Sequence, residues 1–310
     1  MVAFNRAAQR PDALVVPDAD PASPRSGQIA GWTDLPIFLS CLGGAHGADG
    51  PSGIALLDDD TFDVLRAWET DRGGQYLACD ARWHLNQTVL MLGNKYGHRL
   101  HFWDLAAGKH LQTVDLGAQH QMALELRPSH DPEQTWGFVG VVVASPDDLP
   151  PALEPFGAVP PLVTDINLSV DDKFLWVSCW GTGELKQYDV SDPVHPREAG
   201  SVRLGGIAGR VAHPAAPGER LAGGPQMVEV SRDGKRIYLT NSLYGSWDDQ
   251  FYPDGVGAWF AKIDTDPSAG GGLRVDGSFF PHGDDFRGLR VHQVRLQGGD
   301  SSSDSYCYRS

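Results

Sequence analysis

Cysteine is scarce in this chain and shows no spacing that binds zinc or supports redox exchange. The four cysteines, Cys41, Cys79, Cys179 and Cys307, stand far apart with no CxxC pair, so a zinc ribbon is excluded and reduced thiols are expected. Long apolar runs are also missing. No stretch approaches the ~20 residues of a membrane-spanning helix, and the first ten residues have no apolar signal core. These absences predict a cytoplasmic protein that does not bind membranes.

Positive charge is low as well. Lysine and arginine number 25 against 40 aspartates and glutamates, which gives a formal net charge of −15. Nucleic acids are bound by clustered basic side chains, so this balance argues against nucleic acid as a partner. The sequence also has no P-loop, no dinucleotide-binding glycine fingerprint and no Gly-x-Ser-x-Gly nucleophile motif. Several common enzyme classes are therefore disfavoured before any candidate site is considered.

What the chain does contain is an internal repeat. The segment Ser169-Val-Asp-Asp-Lys-Phe-Leu-Trp-Val-Ser178 reappears as Ser231-Arg-Asp-Gly-Lys-Arg-Ile-Tyr-Leu-Thr240. In each copy a polar turn is followed by large apolar and β-branched residues, which is the pattern of a tight turn that leads into a strand. Self-similarity of this kind indicates a repeat architecture.

The residues around the first copy predict a complete structural unit. Strands are expected at 165–169, 174–179, 184–190 and 198–204. Four antiparallel strands in about 40 residues form one blade of a β-propeller. The second copy is expected to begin another blade, whose third strand follows a long insertion at 241–257.

Further short strands are predicted earlier in the chain, at 54–58, 62–68, 88–92, 99–104, 111–116, 122–127 and 136–143. No helical pattern separates them, so an all-β fold is favoured over alternating β and α elements. We predict an all-β protein with β-propeller architecture. A β-sandwich is the alternative, but it does not predict the repeated four-strand unit. Residues 1–36 are assigned to an N-terminal strand segment and polar linker, and residues 37–310 to the propeller domain.

Several long and unusual strings point to one family. They include Tyr96-Gly-His-Arg-Leu-His-Phe-Trp-Asp-Leu105, Trp136-Gly-Phe-Val-Gly-Val-Val-Val143, Ser242-Leu-Tyr-Gly-Ser-Trp-Asp-Asp-Gln-Phe-Tyr-Pro-Asp254 and His292-Gln-Val-Arg-Leu-Gln-Gly-Gly-Asp300. With these strings the chain resembles the selenium-binding protein family, whose bacterial and animal members act as methanethiol oxidases. The resemblance implies a seven-bladed propeller and copper-dependent oxidation of methanethiol. Oxygen and water would be consumed, and formaldehyde, hydrogen sulfide and hydrogen peroxide formed.

The chain also departs from the family pattern at three places. Family segments that carry a His-His pair and a Pro-His-Thr-x-His string are missing before Ile37, and contractions occur near 85–94 and 145–151. We therefore expect an incomplete propeller, with exposed blade edges through which copies of the chain could self-associate. Two functional hypotheses follow. One is an oxidase that acts on a small thiol with oxygen; the other is a catalytically incomplete propeller that serves as a binding module, or a truncated gene product.

His292 is the leading candidate for a metal ligand. It stands at the start of the predicted strand 292–296, and its match in the family is a candidate copper ligand. Copper favours imidazole nitrogen, and oxidation by oxygen calls for a redox centre, since side chains alone do not supply one. The further histidines that the family would contribute are missing here. The resemblance leaves selenium binding open, because in the family it has been tied to a cysteine in a segment this chain lacks.

Three more residues are candidates for the channel or for the surroundings of a metal. Asp165 and Gln226 each stand near the start of an inner strand, where they could hydrogen bond across the channel or support a metal ligand; alternatively, they cap strand ends. His120 precedes another strand and could face the channel, or it could be an exposed loop residue. The aromatic and acidic insertion 242–254 could cover one face of the propeller or pack between blades.

Overall fold

The computed structural model describes the chain mainly from residue 53 to residue 294. The described ranges are 53–58, 61, 63–71, 78–83, 89–94, 98–117, 120–131, 133–142, 161–268 and 270–294, with the strands 2–3, 13–14 and 37–40. Secondary structure in these ranges is almost entirely strand, as the turn-rich composition predicts. The confirmed fold class is all-β.

Nineteen strands are present in the described residues. They are β1 (Val2–Ala3), β2 (Ala13–Leu14), β3 (Ile37–Ser40), β4 (Ile54–Leu57), β5 (Val64–Ala67), β6 (Ala78–Trp83), β7 (Val89–Asn94), β8 (Arg99–Asp104), β9 (Lys109–Asp115), β10 (Gln121–Pro128), β11 (Gly137–Val142), β12 (Val163–Leu168), β13 (Phe174–Cys179), β14 (Glu184–Asp189), β15 (Arg197–Arg203), β16 (Val228–Val230), β17 (Arg236–Thr240), β18 (Phe260–Thr265) and β19 (Leu273–Val275).

These strands form sheets of unequal size. Three sheets have four antiparallel strands in chain order, β6 to β9, β12 to β15 and β16 to β19. One sheet has three strands, β3 to β5, and two pairs remain, β10 with β11 and β1 with β2. A four-stranded antiparallel meander is the unit of a propeller blade. The blade predicted from the first copy of the repeat is confirmed, and β18 is the predicted third strand of the next one.

The internal repeat is a turn that a serine side chain closes. Ser169 Oγ accepts hydrogen bonds from the backbone nitrogens of Lys173 (3.0 Å) and Phe174 (2.9 Å). Ser231 Oγ likewise accepts one from the nitrogen of Arg236 (3.0 Å). The residue three positions after each serine has positive φ, 56° at Asp172. Asp and Gly tolerate this backbone conformation better than other residues, which explains why the repeat carries Asp in one copy and Gly in the other.

Large side chains are buried between the last two blades. Phe174, Trp176 and Leu185 from one blade share a cluster with Leu239 and Trp259 from the next. Each fully buried aliphatic or aromatic side chain contributes roughly 1.5–3 kcal/mol. The faces of neighbouring blades are therefore held together mainly by apolar packing.

The innermost strands lie side by side. β12 contacts both β10 and β16, and β10 also contacts β6. All six residues of β12 are buried, since this strand has a blade on either side. This neighbourhood brings the starts of β12 and β16, which hold two of the candidate residues, close together.

The insertion after β17 contains a helix that the sequence does not predict. Helix α1 covers Gly245–Phe251, with Tyr244 as the residue before its first turn. In the described part of the chain no helix has the length and apolar character needed to cross a bilayer.

Candidate functional site at the end of the inner strands

His292 lies beside the end of β17. Its ring nitrogen Nδ1 is 2.9 Å from the backbone oxygen of Ser242, and its own backbone oxygen accepts a hydrogen bond from Thr240 Oγ1 (2.5 Å). The ring centroid is 6.0 Å from that of Tyr244. Residues 291–294 have irregular backbone, so the strand predicted to begin at His292 does not begin there. The segment is held by the hydroxyl of Thr240 and by the backbone nitrogen of Ser242, which donates to Val291 O (3.1 Å).

The carbonyl neighbour fixes the tautomer of His292. A carbonyl oxygen only accepts hydrogen bonds, so Nδ1 must carry the proton that it donates to Ser242. Nε2 of the neutral ring then carries the lone pair. A neutral His292 therefore presents a basic nitrogen next to the half-exposed ring of Tyr244.

Gln226 and His292 both form a hydrogen bond with Thr240. The backbone nitrogen of Gln226 donates to Thr240 O (2.9 Å), and its backbone oxygen accepts from Thr164 Oγ1 (3.0 Å) and Ser178 Oγ (2.9 Å). The side-chain Oε1 is buried and makes no hydrogen bond with the described protein atoms. A buried carbonyl oxygen without a hydrogen-bond donor is uncommon in folded proteins. The residues just before β16 therefore offer an acceptor to a polar partner.

Asp165 joins three inner strands. Its Oδ1 accepts a hydrogen bond from Arg127 Nη2 on β10 (2.9 Å), and its Oδ2 accepts from the backbone nitrogen of Val228 on β16 (2.7 Å) and from Asn167 Nδ2 (3.3 Å). Both members of the ion pair are about 1% exposed. Asp165 therefore links neighbouring inner strands through a charged side chain and a backbone nitrogen, and its place in the channel stays a prediction.

His120 belongs to a different part of the molecule. It lies in the connection between β9 and β10, half-buried, with Nδ1 2.6 Å from the backbone oxygen of Leu116. Its backbone nitrogen donates to Gly117 O (2.9 Å). The hydrogen bonds seen for His120 thus stay within its own loop, and its proposed place in the channel stays a prediction.

The described donors do not fit copper. In the described ranges, no three His, Cys, Asp or Glu side chains come together as a metal site would require, whereas copper sites use several imidazole or sulfur ligands. Cys179 is also a poor ligand, because burial raises the pKa of its thiol to about 12 and only the thiolate binds metals and acts as a nucleophile.

The insertion packs on the blade of β12 to β15. Trp180 makes edge contacts with Phe251 and Tyr252, at ring-centroid distances of 5.8 and 5.7 Å. The buried Asp248 accepts hydrogen bonds from Ser242 Oγ (2.5 Å) and from Arg290 Nη1 (3.3 Å). These contacts favour the packing role for the insertion. They also hold segment 242–244 next to segment 290–292, which carries His292.

Blades of four antiparallel strands, placed with their first strands side by side, define the class of the protein as a β-propeller. The family follows from the comparison with known sequences. The sequence model of the 56 kDa selenium binding protein family matches residues 36–94, 90–146 and 146–307. The chain therefore belongs to the selenium-binding protein family, as the sequence strings indicate.

Curated relatives and a solved structure agree with this assignment. Methanethiol oxidases from Xenopus tropicalis and Homo sapiens are 34% and 33% identical to the chain; each match covers 86% of the chain, and 69% and 68% of the respective relative. The structure of a hypothetical selenium-binding protein from Sulfolobus tokodaii is 44% identical, with a TM-score of 0.77 over 88% of this chain and 69% of that one. A putative 6-phosphogluconolactonase from Bacteroides fragilis, 12% identical with a TM-score of 0.51, shows the fold alone.

The same comparisons show that internal segments are missing. The match to the Xenopus tropicalis relative extends over 326 aligned positions, which exceeds the 310 residues of the chain. The family match is also broken around residues 90–94 and at residue 146. These breaks coincide with the contractions seen in the sequence near 85–94 and 145–151.

Proposed function

We propose that this chain acts on methanethiol as its family relatives do, with oxygen and water consumed and formaldehyde, hydrogen sulfide and hydrogen peroxide formed. The supporting observation is the 34% identity to a methanethiol oxidase over 86% of the chain. The family match over residues 146–307 includes the string around His292. A small thiol also suits a site that offers an imidazole and an aromatic ring.

His292 is suited to act as the base that accepts the proton of a bound thiol. With Nδ1 held by Ser242 O, Nε2 is positioned to accept the proton of the S–H group, and a thiolate is far more reactive than a thiol. Tyr244, 43% exposed, would pack against the methyl group. The redox centre that the oxygen chemistry needs would be copper in the family, and the described donors of this chain do not form its site.

One observation favours a second candidate function. Because the described residues include no cluster of three metal-binding side chains, the chain could be a catalytically incomplete propeller that binds a ligand without turning it over. In that case the same channel end would bind a small thiol reversibly. Methanethiol would then be a ligand and not a substrate.

The two candidates are separated by measuring bound copper and methanethiol-dependent hydrogen peroxide on the same purified chain. The oxidase proposal predicts stoichiometric copper and turnover, and loss of both in His292→Ala. His195→Ala is the matched control, since His195 is a surface residue that pairs with Asp192, and it should keep both. Methanethiol binding without copper and without peroxide would instead establish the binding module.

A further inference from the structure

The insertion after β17 places a buried carboxylate behind the candidate site. Asp248 lies on helix α1, and its side chain is fully buried, which is costly for a charge unless hydrogen bonds and charged partners compensate. The contacts of its carboxylate oxygens reach Ser242, Leu243 and Arg290. Ser242 is the residue that contacts the His292 ring, and Arg290 lies two residues before that histidine.

One of these contacts acts on the peptide group that binds the His292 ring. Asp248 Oδ1 accepts a hydrogen bond from the backbone nitrogen of Leu243 (3.1 Å). That nitrogen and the carbonyl oxygen of Ser242 belong to the same peptide group, which is planar and trans, so its N–H and C=O point in opposite directions. The carbonyl oxygen is 2.9 Å from His292 Nδ1. A single peptide group therefore separates the carboxylate from the imidazole.

The second carboxylate oxygen holds the segments on either side of this peptide group. Asp248 Oδ2 accepts hydrogen bonds from Ser242 Oγ (2.5 Å) and Arg290 Nη1 (3.3 Å). The backbone nitrogen of Ser242 also donates to Val291 O (3.1 Å). Turning the Ser242 carbonyl away from the histidine would break the hydrogen bond between Leu243 and the buried carboxylate, which is costly. The carbonyl oxygen is therefore held in place against the ring.

We propose that Asp248 is a positioning residue that fixes the tautomer of His292 through the peptide group between Ser242 and Leu243. A carbonyl oxygen only accepts hydrogen bonds, so a carbonyl held against Nδ1 requires the proton on Nδ1 and leaves the lone pair on Nε2. In many catalytic and metal sites a carboxylate orients a histidine by direct contact. In this chain the carboxylate acts across one peptide group.

The carboxylate also makes the carbonyl a stronger acceptor. Hydrogen bonds in a chain polarise one another, by about 10–30% per bond, and most effectively away from water. Because the N–H of Leu243 donates to a negative charge, the carbonyl oxygen at the other end of the peptide group gains negative charge. It then binds the proton on Nδ1 of His292 more strongly, which raises the basicity of Nε2.

In its consequence for thiol chemistry this inference rests on the proposed function. When Nε2 of His292 takes the proton of a thiol, the S–H bond breaks, its electron pair stays on sulfur and an N–H bond forms on the ring. The resulting imidazolium is stabilised by the Ser242 carbonyl oxygen and, through the peptide group, by the negative charge of Asp248. Asp248 would thus do for His292 what the carboxylate of a catalytic triad does for its histidine.

The test reads the His292 ring by NMR in the full chain, with nitrogen-15-labelled histidine at about pH 8.5, where imidazole side chains are generally uncharged. Ring nitrogens with and without a proton give separate resonances, and His292→Gln identifies the signals of this ring. The protein should show a protonated Nδ1 and a bare Nε2. In Asp248→Ala the carbonyl is released and both tautomers should be populated, so the two nitrogen resonances should move toward each other.

Two further variants separate this role from simple packing. Asp248→Asn keeps the shape of the side chain and an acceptor oxygen for Leu243, so it should retain the tautomer. Its neutral acceptor should weaken the chain of hydrogen bonds and shift the Nδ1 proton resonance upfield. Asp249→Ala removes the neighbouring carboxylate, which pairs with Arg290 (2.5 Å) and does not contact the peptide group, and it should leave the ring signals of His292 unchanged.

Three outcomes would overturn the proposal. They are a bare Nδ1 in the protein, a folded Asp248→Ala with the ring signals of the protein, and an Asp248→Asn in which the Nδ1 proton resonance does not move. The readout needs no methanethiol. The predicted ring signals without thiol turnover would refute the proposed function alone, and turnover with the proton on Nε2 would refute this inference alone.

Discussion

The complete blades β12 to β15 and β16 to β19 differ from two shorter sheets, β3 to β5 and β10 with β11, in which strands of a blade the described residues include. In the described residues the sheet β3 to β5 shows no inner strand, because its pair of β4 with β5 has the register shift that is also seen where the third strands β8 and β14 pair with fourth strands. In contrast, β10 and β11 correspond to the first two strands of a blade, since β10 lies against the inner strands β6 and β12. In the part of the chain that the structure describes, one short sheet thus ends at its inner side and the other at its outer side. The strands described in the three-stranded sheet nevertheless keep the register of a complete blade.

The polar contacts that β12 and its neighbouring residues make also differ between the short sheet on one side and the complete blade on the other. Asp165 and Asp172, both at β12 or the turn after it, reach back to the short sheet of β10 and β11. Forward, toward β16, Thr164, Asn167 and Ser178 bond to backbone oxygens. The ion pairs therefore lie on the side of the short sheet, and toward β16 the Asp165 carboxylate accepts a hydrogen bond from the backbone nitrogen of Val228.

The largest expected effect is the loss of the carboxylate of Asp165. In Asp165→Ala, the buried Arg127 loses one of its two ion-pair partners and keeps Glu125, and the backbone nitrogen of Val228 loses its acceptor. Breaking a buried pair in this way costs about 3–5 kcal/mol, to be measured as the free energy of unfolding in urea. Asp192→Ala, which removes an exposed pair with His195, is the control. A cost as small as that of the control would show that the charged contact is not what joins β10 to the complete blades.

A smaller effect is expected from acid in the blade that adjoins the three-stranded sheet. Burial, and after it the charges of His110 and Arg99, lower the pKa of His101 to about 4. The unfolded chain binds this proton more readily, so the contribution to stability is complete above pH ~6.5 and is lost as the pH falls toward 4, at up to about 1.4 kcal/mol per unit.

The measurement is the unfolding free energy of the protein and of His101→Gln between pH 7 and pH 4. Glutamine does not titrate, so the variant should lose less stability over this range than the protein does. His195→Gln, at an exposed histidine, should follow the unmodified protein. Parallel curves for the protein and His101→Gln would contradict the assignment.

The smallest effect is expected at the turn of the repeat. Burial alone would raise the pKa of Asp172, but hydrogen bonds from His130 and Ser129 outweigh it and hold that pKa below 3.8. Asp172→Gly would relieve the positive φ and remove the link to β10 and β11. We expect a net loss of about 1 kcal/mol near pH 7, measured by urea unfolding.

The pH dependence of the same variant gives the control. A carboxylate with a lowered pKa stabilises the fold above its unfolded pKa and loses this contribution as the pH falls through its folded pKa. The difference between the protein and Asp172→Gly should therefore shrink below pH 3.8. A variant more stable than the protein at pH 7 would show that backbone strain outweighs the link.

The sequence alone predicts the blades and only part of the site. The repeat at Ser169 and Ser231 predicts strand order because a closed turn and an apolar strand are local features. The bridge from Arg127 to Asp165 and Val228 joins residues far apart in the chain, so no local pattern reveals it. The pairing of His130 with Asp172 is of the same kind. Helix α1 has too few residues, Gly245–Phe251, to produce a helical period.

The difference between the complete and the short sheets is tested most directly by native-state hydrogen exchange. β12, buried along its whole length, should exchange only when the whole fold opens, whereas β3, paired on one side in the described structure, should open locally. We expect amides in β12 to exchange at least about a hundredfold more slowly than those in β3. Equal protection of the two strands would contradict it, because β3 would then have to be covered on both edges.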